Sequence, residues 1–148
     1  GPNETVVVKH FPNSFRESRL LEELKKAGIE RLAVCGAMSH MCIDATTRAA
    51  ADLGFDCVVA HDACATTNVE FDGREVPAAE VHAAFMSALG FAYAKVVPTT
   101  DAPLLSIFRT ITNTVAVAWP SPSTDWTLQQ NTNSVRSVTE WIGTSRSS

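Results

Sequence analysis

Apolar positions along the chain fall into short runs with two alternating spacings. Thr5-Val-Val-Val-Lys9 is a β-branched run and predicts a strand. From Ser18 to Ala27, Leu20, Leu21 and Leu24 recur at helical spacing, and Gly28 supplies a stop. Arg31-Leu-Ala-Val-Cys35 predicts a second strand, closed by Gly36. Residues 42–53 read as a helix with Ile43, Ala50 and Leu53 available inward, ending at Gly54. Phe55-Asp-Cys-Val-Val-Ala60 predicts a third strand. Pro77 sits where helices accept a proline, and a helical pattern over 78–89 ends at Gly90. Ala94-Lys-Val-Val97 predicts a fourth strand. Strands alternating with helices imply right-handed crossovers and a parallel sheet with helices packed on its faces. Ligands in such sheets bind beyond the C-terminal strand ends.

Composition divides the chain. Residues 1–98 hold nine Ser or Thr, whereas residues 99–148 hold eighteen in half the length. All three tryptophans, Trp119, Trp126 and Trp141, lie in the second stretch. The pattern therefore places a compact core over 1–108 and a Ser/Thr/Trp-rich, weakly ordered tail over 109–148. The tail's one strand-like run is Asn113–Trp119, closed by Pro120 and Pro122.

Charge and apolar content narrow the partners. Net charge is -4 with no basic face, which argues against nucleic acid. No apolar run approaches the roughly 20 residues a membrane helix needs, so no membrane partner is expected. Cys35, Cys42, Cys57 and Cys64 sit in apolar settings. That points to reduced thiols and a cytoplasmic location.

Three predicted strand ends carry the chemistry. The first ends at Lys9, the second runs into Cys35-Gly-Ala-Met-Ser-His-Met-Cys42, and the third ends at His61-Asp62. The topology sets these ends side by side. Cys42 falls at or just before a helix N-terminus, which favours an anion, and a lysine ammonium nearby favours a thiolate further. That setting suits a nucleophile that attacks a carbonyl and forms a thioester. The tight Gly36–His40 turn offers backbone N–H groups for an oxyanion. Cys35 and Cys57 lie inside strand runs and read as core, with Cys64 in packing. His10, His40, His61 and His82 form no metal-ligand spacing. His82 reads as helix surface, and His61 as a loop anchor. Asp62 reads as ordering the turn after it. Asp44 and Arg48 form an i,i+4 pair.

Val34-Cys-Gly-Ala-Met-Ser-His-Met-Cys-Ile-Asp-Ala-Thr-Thr-Arg48, with Ala49–Phe55 and Val58-Val-Ala-His-Asp-Ala63, resembles the isochorismatase-like cysteine hydrolases. Lys9-His-Phe-Pro-Asn-Ser-Phe15 resembles that family's active-site lysine strand and its following "S-x-F" segment. The resemblance covers about residues 5–101. It implies a three-layer α/β/α, Rossmann-like sandwich with a central parallel sheet. It also implies Cys42 as nucleophile and Lys9 as its catalytic lysine. A non-proline cis peptide would join Ala37 to Met38, and the N–H groups of Met38 and Cys42 would hold the oxyanion. Phe11, Phe15, His40, Met41 and Asp62 are candidates for the substrate pocket, with core packing the other reading for the two phenylalanines. The family's triad also has an aspartate, on a strand upstream of the lysine strand. The sequence starts at the lysine strand, so that first strand and helix are absent from it. The metal site of nicotinamidases lies in that same stretch, so neither metal nor other cofactor is implied.

The resulting expectation is a cysteine hydrolase, amidase-like, that cleaves the C–N bond of a small-molecule amide. The alternative is a catalytically silent α/β binding or assembly module lacking the aspartate. A weaker third reading is a redox-sensing thiol protein. An uncovered sheet edge at the lysine strand leads to an expected homo-oligomer.

Overall fold

The computed structural model describes residues 5–101 and the backbone of Thr114–Val117. The elements are α1 (Leu20–Lys26), β1 (Arg31–Ala37), a π-helical turn (Ser39–Ile43), α2 (Asp44–Asp52) and β2 (Asp56–Ala65). They continue with β3 (Val69–Phe71), β4 (Arg74–Val76), α3 (Ala78–Ala92), β5 (Lys95–Val97) and β6 (Thr114–Val117). The main sheet has the order β5-β2-β1-β6, and every recorded pair in it is parallel. This is an α/β fold with a central parallel sheet.

The period-two alternation of the strands decides where the core sits. Leu32 and Val34 of β1 and Cys57 and Val59 of β2 share one face. They are buried with Leu20 and Leu24 of α1, Ala50 of α2, and Met86 and Leu89 of α3. The opposite face holds Ala33 with Val58 and Val97. Among the described residues, then, the sheet carries one helical layer. In α1, Glu22 and Glu23 stand in the first turn and Lys25 and Lys26 in the last. Each sign faces the end of the helix dipole that favours it.

Several expected elements change. Residues 5–9 form no strand. Val6 and Val8 are 72% and 70% exposed, whereas Val7 packs on the core. The segment keeps a strand's alternation, but a strand exists only through a hydrogen-bonded neighbour, and none is recorded for it among the described residues. β1 runs two residues past Cys35, to Ala37. β2 runs on through His61 and Asp62 to Ala65. Helix α3 passes through Gly90 to Ala92, because a glycine is a local stop preference worth only about 0.5–1 kcal/mol. Packing of Leu89, fully buried, outweighs it.

The hairpin β3–β4 was not expected. It turns on Asp72 and Gly73, with φ of 52° and 70°. Two consecutive positive φ values are what a two-residue primed turn needs, and Asp-Gly meets that need. The run at Asn113–Trp119 contains β6, which pairs with β1 in the register Arg31↔Thr114. The boundary near residue 108 and the rest of the 109–148 tail lie outside the described residues.

One irregularity shapes the functional edge. Val34 pairs with Val59, but Gly36 pairs with Cys64. Two steps on β1 therefore match five on β2, and residues 60–63 bulge from the ladder. Gly36, at φ 120°, takes a backbone conformation open to glycine alone.

Residues 9–15 are held against α2 by polar contacts. Thr46, buried on α2, donates its hydroxyl to the Pro12 carbonyl at 3.2 Å and accepts the Ser14 N–H at 3.2 Å. The Ser14 hydroxyl, also buried, shares a further hydrogen bond with it. Asn13 Oδ1 caps the Phe15 N–H at 2.9 Å. Replacing Thr46 by Val keeps its shape but strands the Ser14 donors. We expect a loss of about 1–3 kcal/mol. Urea unfolding should show a lower midpoint with an unchanged slope; an unchanged midpoint would deny the clasp its role.

Candidate active site

The C-terminal end of β1 delivers the site. β1 is buried from Leu32 to Gly36, then leads into a cis peptide bond between Ala37 and Met38. Met38 is extended, and the π turn begins at Ser39. The N–H groups of Met41 and Ile43 both donate to the Met38 carbonyl, at 2.9 and 3.2 Å. Cys42 thus sits inside the π turn, two residues ahead of α2, rather than at the first residue of an α-helix. The pattern of apolar residues cannot separate a π turn from the helix that continues it.

Lys9 and Cys42, 33 residues apart, meet here. Lys9 Nζ donates to Cys42 Sγ at 3.1 Å. The same ammonium donates to the Phe11 carbonyl at 2.9 Å and the Pro12 carbonyl at 3.3 Å. An ammonium has three protons, and these three acceptors aim it. Because Pro12 is itself held by Thr46, α2 positions both the lysine and the cysteine.

Two carboxylates at this edge, Asp44 and Asp62, are engaged elsewhere. Asp44 pairs with Arg48 at 2.9 Å, and the Arg48 guanidinium stacks over Tyr93. Asp62, at the bulge, accepts the Thr99 N–H at 2.8 Å and its hydroxyl at 2.7 Å. It fastens β2 to the chain after β5 instead of ordering its own turn. The Asp101 carboxylate accepts the Thr100 hydroxyl at 3.5 Å, and its N–H closes a turn onto Pro98. Among the described residues, the recorded hydrogen-bond partner of the Cys42 sulfur is Lys9.

The other expected pocket residues make contacts of their own. His40 Nδ1 shares a hydrogen with Thr66 Oγ1, and its ring meets Phe85 edge-on. Met41 is exposed. Phe11 is covered by the Arg16 guanidinium, 3.8 Å from its centroid. Phe15 stacks on Phe55 and packs on the core. Among the described residues, no His, Cys, Asp and Glu side chains gather into a metal-binding group. None of the described helices is long and apolar enough to cross a membrane.

Sequence reasoning missed Ser39 and His82. Ser39 is fully buried, and its hydroxyl lies 2.8 Å from His82 Nδ1 and 3.4 Å from the Ala65 carbonyl. His82 is half-buried, not on the helix surface, and its ring faces that of His61. Its position beside the buried Val81 hides this contact from the periodicity.

The four thiols differ in setting. Burial pushes Cys35 up to about 11. Burial, then the charge of Asp56, pushes Cys57 up to about 11. Cys64 is raised further, first by burial and then by Cys35. At about pH 8, only about a thousandth of Cys35 or Cys57 is therefore thiolate. Cys42 is half-buried and stands beside an ammonium. Iodoacetamide at that pH should modify Cys42 first by peptide mapping; equal labelling of Cys35 or Cys57 would deny Cys42 its special setting.

Comparison with known proteins gives the family of the chain. The family model for the isochorismatase domain matches residues 1–89. The chain belongs to the isochorismatase family. It is 54% identical over 99 residues to the isochorismatase family protein YddQ of Bacillus subtilis, covering 67% of the chain and 54% of that protein. It is 34% identical over 97 residues to nicotinamidase 3 of Arabidopsis thaliana, covering 66% and 43%. A crystal structure from Oleispira antarctica, assigned to the isochorismatase hydrolases, superposes with a TM-score of 0.66 at 56% identity. That match covers 72% of this chain and 55% of the other. The chain spans about half the length of the curated relatives it matches. The family is one of hydrolases, which fits a thiol held beside an ammonium at a parallel-sheet edge.

Proposed function

We propose that Cys42 is the nucleophile of a hydrolase that cleaves the C–N bond of a small-molecule amide. The observation that carries this reading is the 3.1 Å contact of Lys9 Nζ with Cys42 Sγ at the end of β1. The Cys42 thiolate attacks the amide carbonyl, forming an S–C bond and sending the carbonyl pair onto oxygen. The N–H groups of Met38 and Cys42 are the proposed donors to that oxyanion. Lys9 steadies the thiolate before attack. The oxyanion pair returns to the carbonyl, the C–N bond breaks, the amine leaves with a proton supplied by water, and a thioester remains. Water attacks the thioester, returns the thiol and releases the acid.

The name of the Arabidopsis relative, a nicotinamidase, favours an amide as the substrate class. The test is a first turnover on a panel of small carboxamides. We expect ammonia in amounts up to one equivalent of chain, and none from Cys42→Ala. Equal ammonia from that variant would remove the cysteine from the mechanism. No ammonia and no acyl adduct, with Cys42 intact, would favour the silent binding module.

A further inference from the structure

The turn that carries Cys42 is tied within itself, since the Met41 and Ile43 N–H groups both donate to the Met38 carbonyl. Such bonds fix the shape of the turn and leave its place on the protein to other contacts. Its first residue supplies one. Ser39 is fully buried, and its hydroxyl reaches two other elements: His82 Nδ1 on α3 at 2.8 Å and the Ala65 carbonyl at the end of β2 at 3.4 Å. A hydroxyl both donates and accepts. It can give its proton to Nδ1, or take one from Nδ1 and give its own to Ala65, so the anchor is met in either protonation state of the ring. The next residue, His40, ties the turn to Thr66, one residue past Ala65. The lysine side has an attachment of its own, because Thr46 on α2 holds Pro12 and Ser14. The two halves of the Lys9–Cys42 contact are thus seated by different anchors.

We propose, on the reading of Cys42 as nucleophile, that Ser39 is a positioning residue whose hydroxyl seats the Cys42 turn so that the sulfur meets the Lys9 ammonium. Ser39 and Cys42 stand in the same single turn, so a shift at one passes to the other with little slack. An apolar residue at position 39 would leave His82 Nδ1 and the Ala65 carbonyl without this partner, and the turn without this tie to α3 and β2. Cys42 Sγ lies 3.1 Å from Lys9 Nζ. A displacement on the order of 1 Å would take it out of hydrogen-bond range.

The test is a double-mutant cycle read as the rate of Cys42 alkylation by iodoacetamide at about pH 7.5, by peptide mass spectrometry. It compares the wild-type chain with Ser39→Ala, Lys9→Met and the two changes together, and adds Ser39→Thr, which keeps the hydroxyl. Ser39→Ala should alkylate about tenfold more slowly than wild type. In the Lys9→Met chain the same change should slow alkylation by less than about twofold, because the contact that Ser39 serves is already gone. A residue that only held the fold together would cost the same factor in both backgrounds. Ser39→Thr should stay within about threefold of wild type. An unchanged or faster rate in Ser39→Ala, or an equal factor lost with and without Lys9, would overturn the proposal. So would a Ser39→Thr chain as slow as Ser39→Ala, since the hydroxyl would then not be what seats the turn. Should Ser39→Ala lack the wild-type circular dichroism, His82→Phe takes its place in the cycle, removing the nearer partner of the same hydroxyl. Alkylation requires no turnover, so failure of the hydrolase reading shows separately, as a chain that never acylates yet keeps the coupling between Ser39 and Lys9.

Discussion

Mixed with an activated ester, the chain should release a rapid burst of alcohol, up to one equivalent, and then turn over slowly. Acylation needs a nucleophile and an oxyanion site, which Cys42 and the proposed N–H donors supply. Deacylation needs a group that takes a proton from water. Asp44 is held by Arg48 and Asp62 by Thr99, so neither is poised beside the sulfur. General-base assistance is worth about 10²–10⁴-fold, and the slow phase should be depressed on that order against a fully equipped cysteine hydrolase. Stopped-flow absorbance separates the two phases. Fast steady turnover without a burst would mean that a carboxylate from outside the described residues completes the site.

Replacing Lys9 by Met should slow the burst itself by about 10–100-fold and leave its amplitude intact. Methionine keeps the length of the stem and removes the ammonium. The lost interaction is a charge-assisted hydrogen bond to sulfur, worth about 1.5–3 kcal/mol. Its loss acts before the C–N or C–O bond breaks, so acylation slows while the number of reactive thiols stays the same. A lower amplitude at unchanged rate would instead indicate that residues 9–15 had come away from α2. A burst as fast as wild type would show that Lys9 has no part in activating Cys42.

The sequence made the main parallel ladder legible because Leu32 and Val34, and Cys57 and Val59, belong to short apolar runs that each follow a helix-ending glycine, Gly28 or Gly54. It made Cys42 and Lys9 legible as a pair because the topology aligns their ends of the chain, and a family resemblance sharpened that alignment. What escaped depends on partners rather than on local pattern. Residues 5–9 have the composition of a strand but no recorded neighbour. The bulge at 60–63 is a property of two strands, set by the Val34 to Gly36 step on one and five residues on the other. Asp62 looked like a turn former because its acceptors serve turns well; its partner Thr99 is 37 residues away. Ser39 and His82 are joined across 43 residues, and neither periodicity nor spacing carries such a contact. The Asp72-Gly73 turn is the exception, since its two residues alone announce a hairpin.

The central claim is that Cys42 carries the acyl group, and intact-mass analysis of the quenched burst tests it most directly. The account predicts one added acyl group per chain, mapped to the peptide bearing Cys42, hydroxylamine-sensitive as a thioester is, and missing from Cys42→Ala. An adduct on Cys35, Cys57 or Cys64, or an adduct that survives in Cys42→Ala, would contradict it.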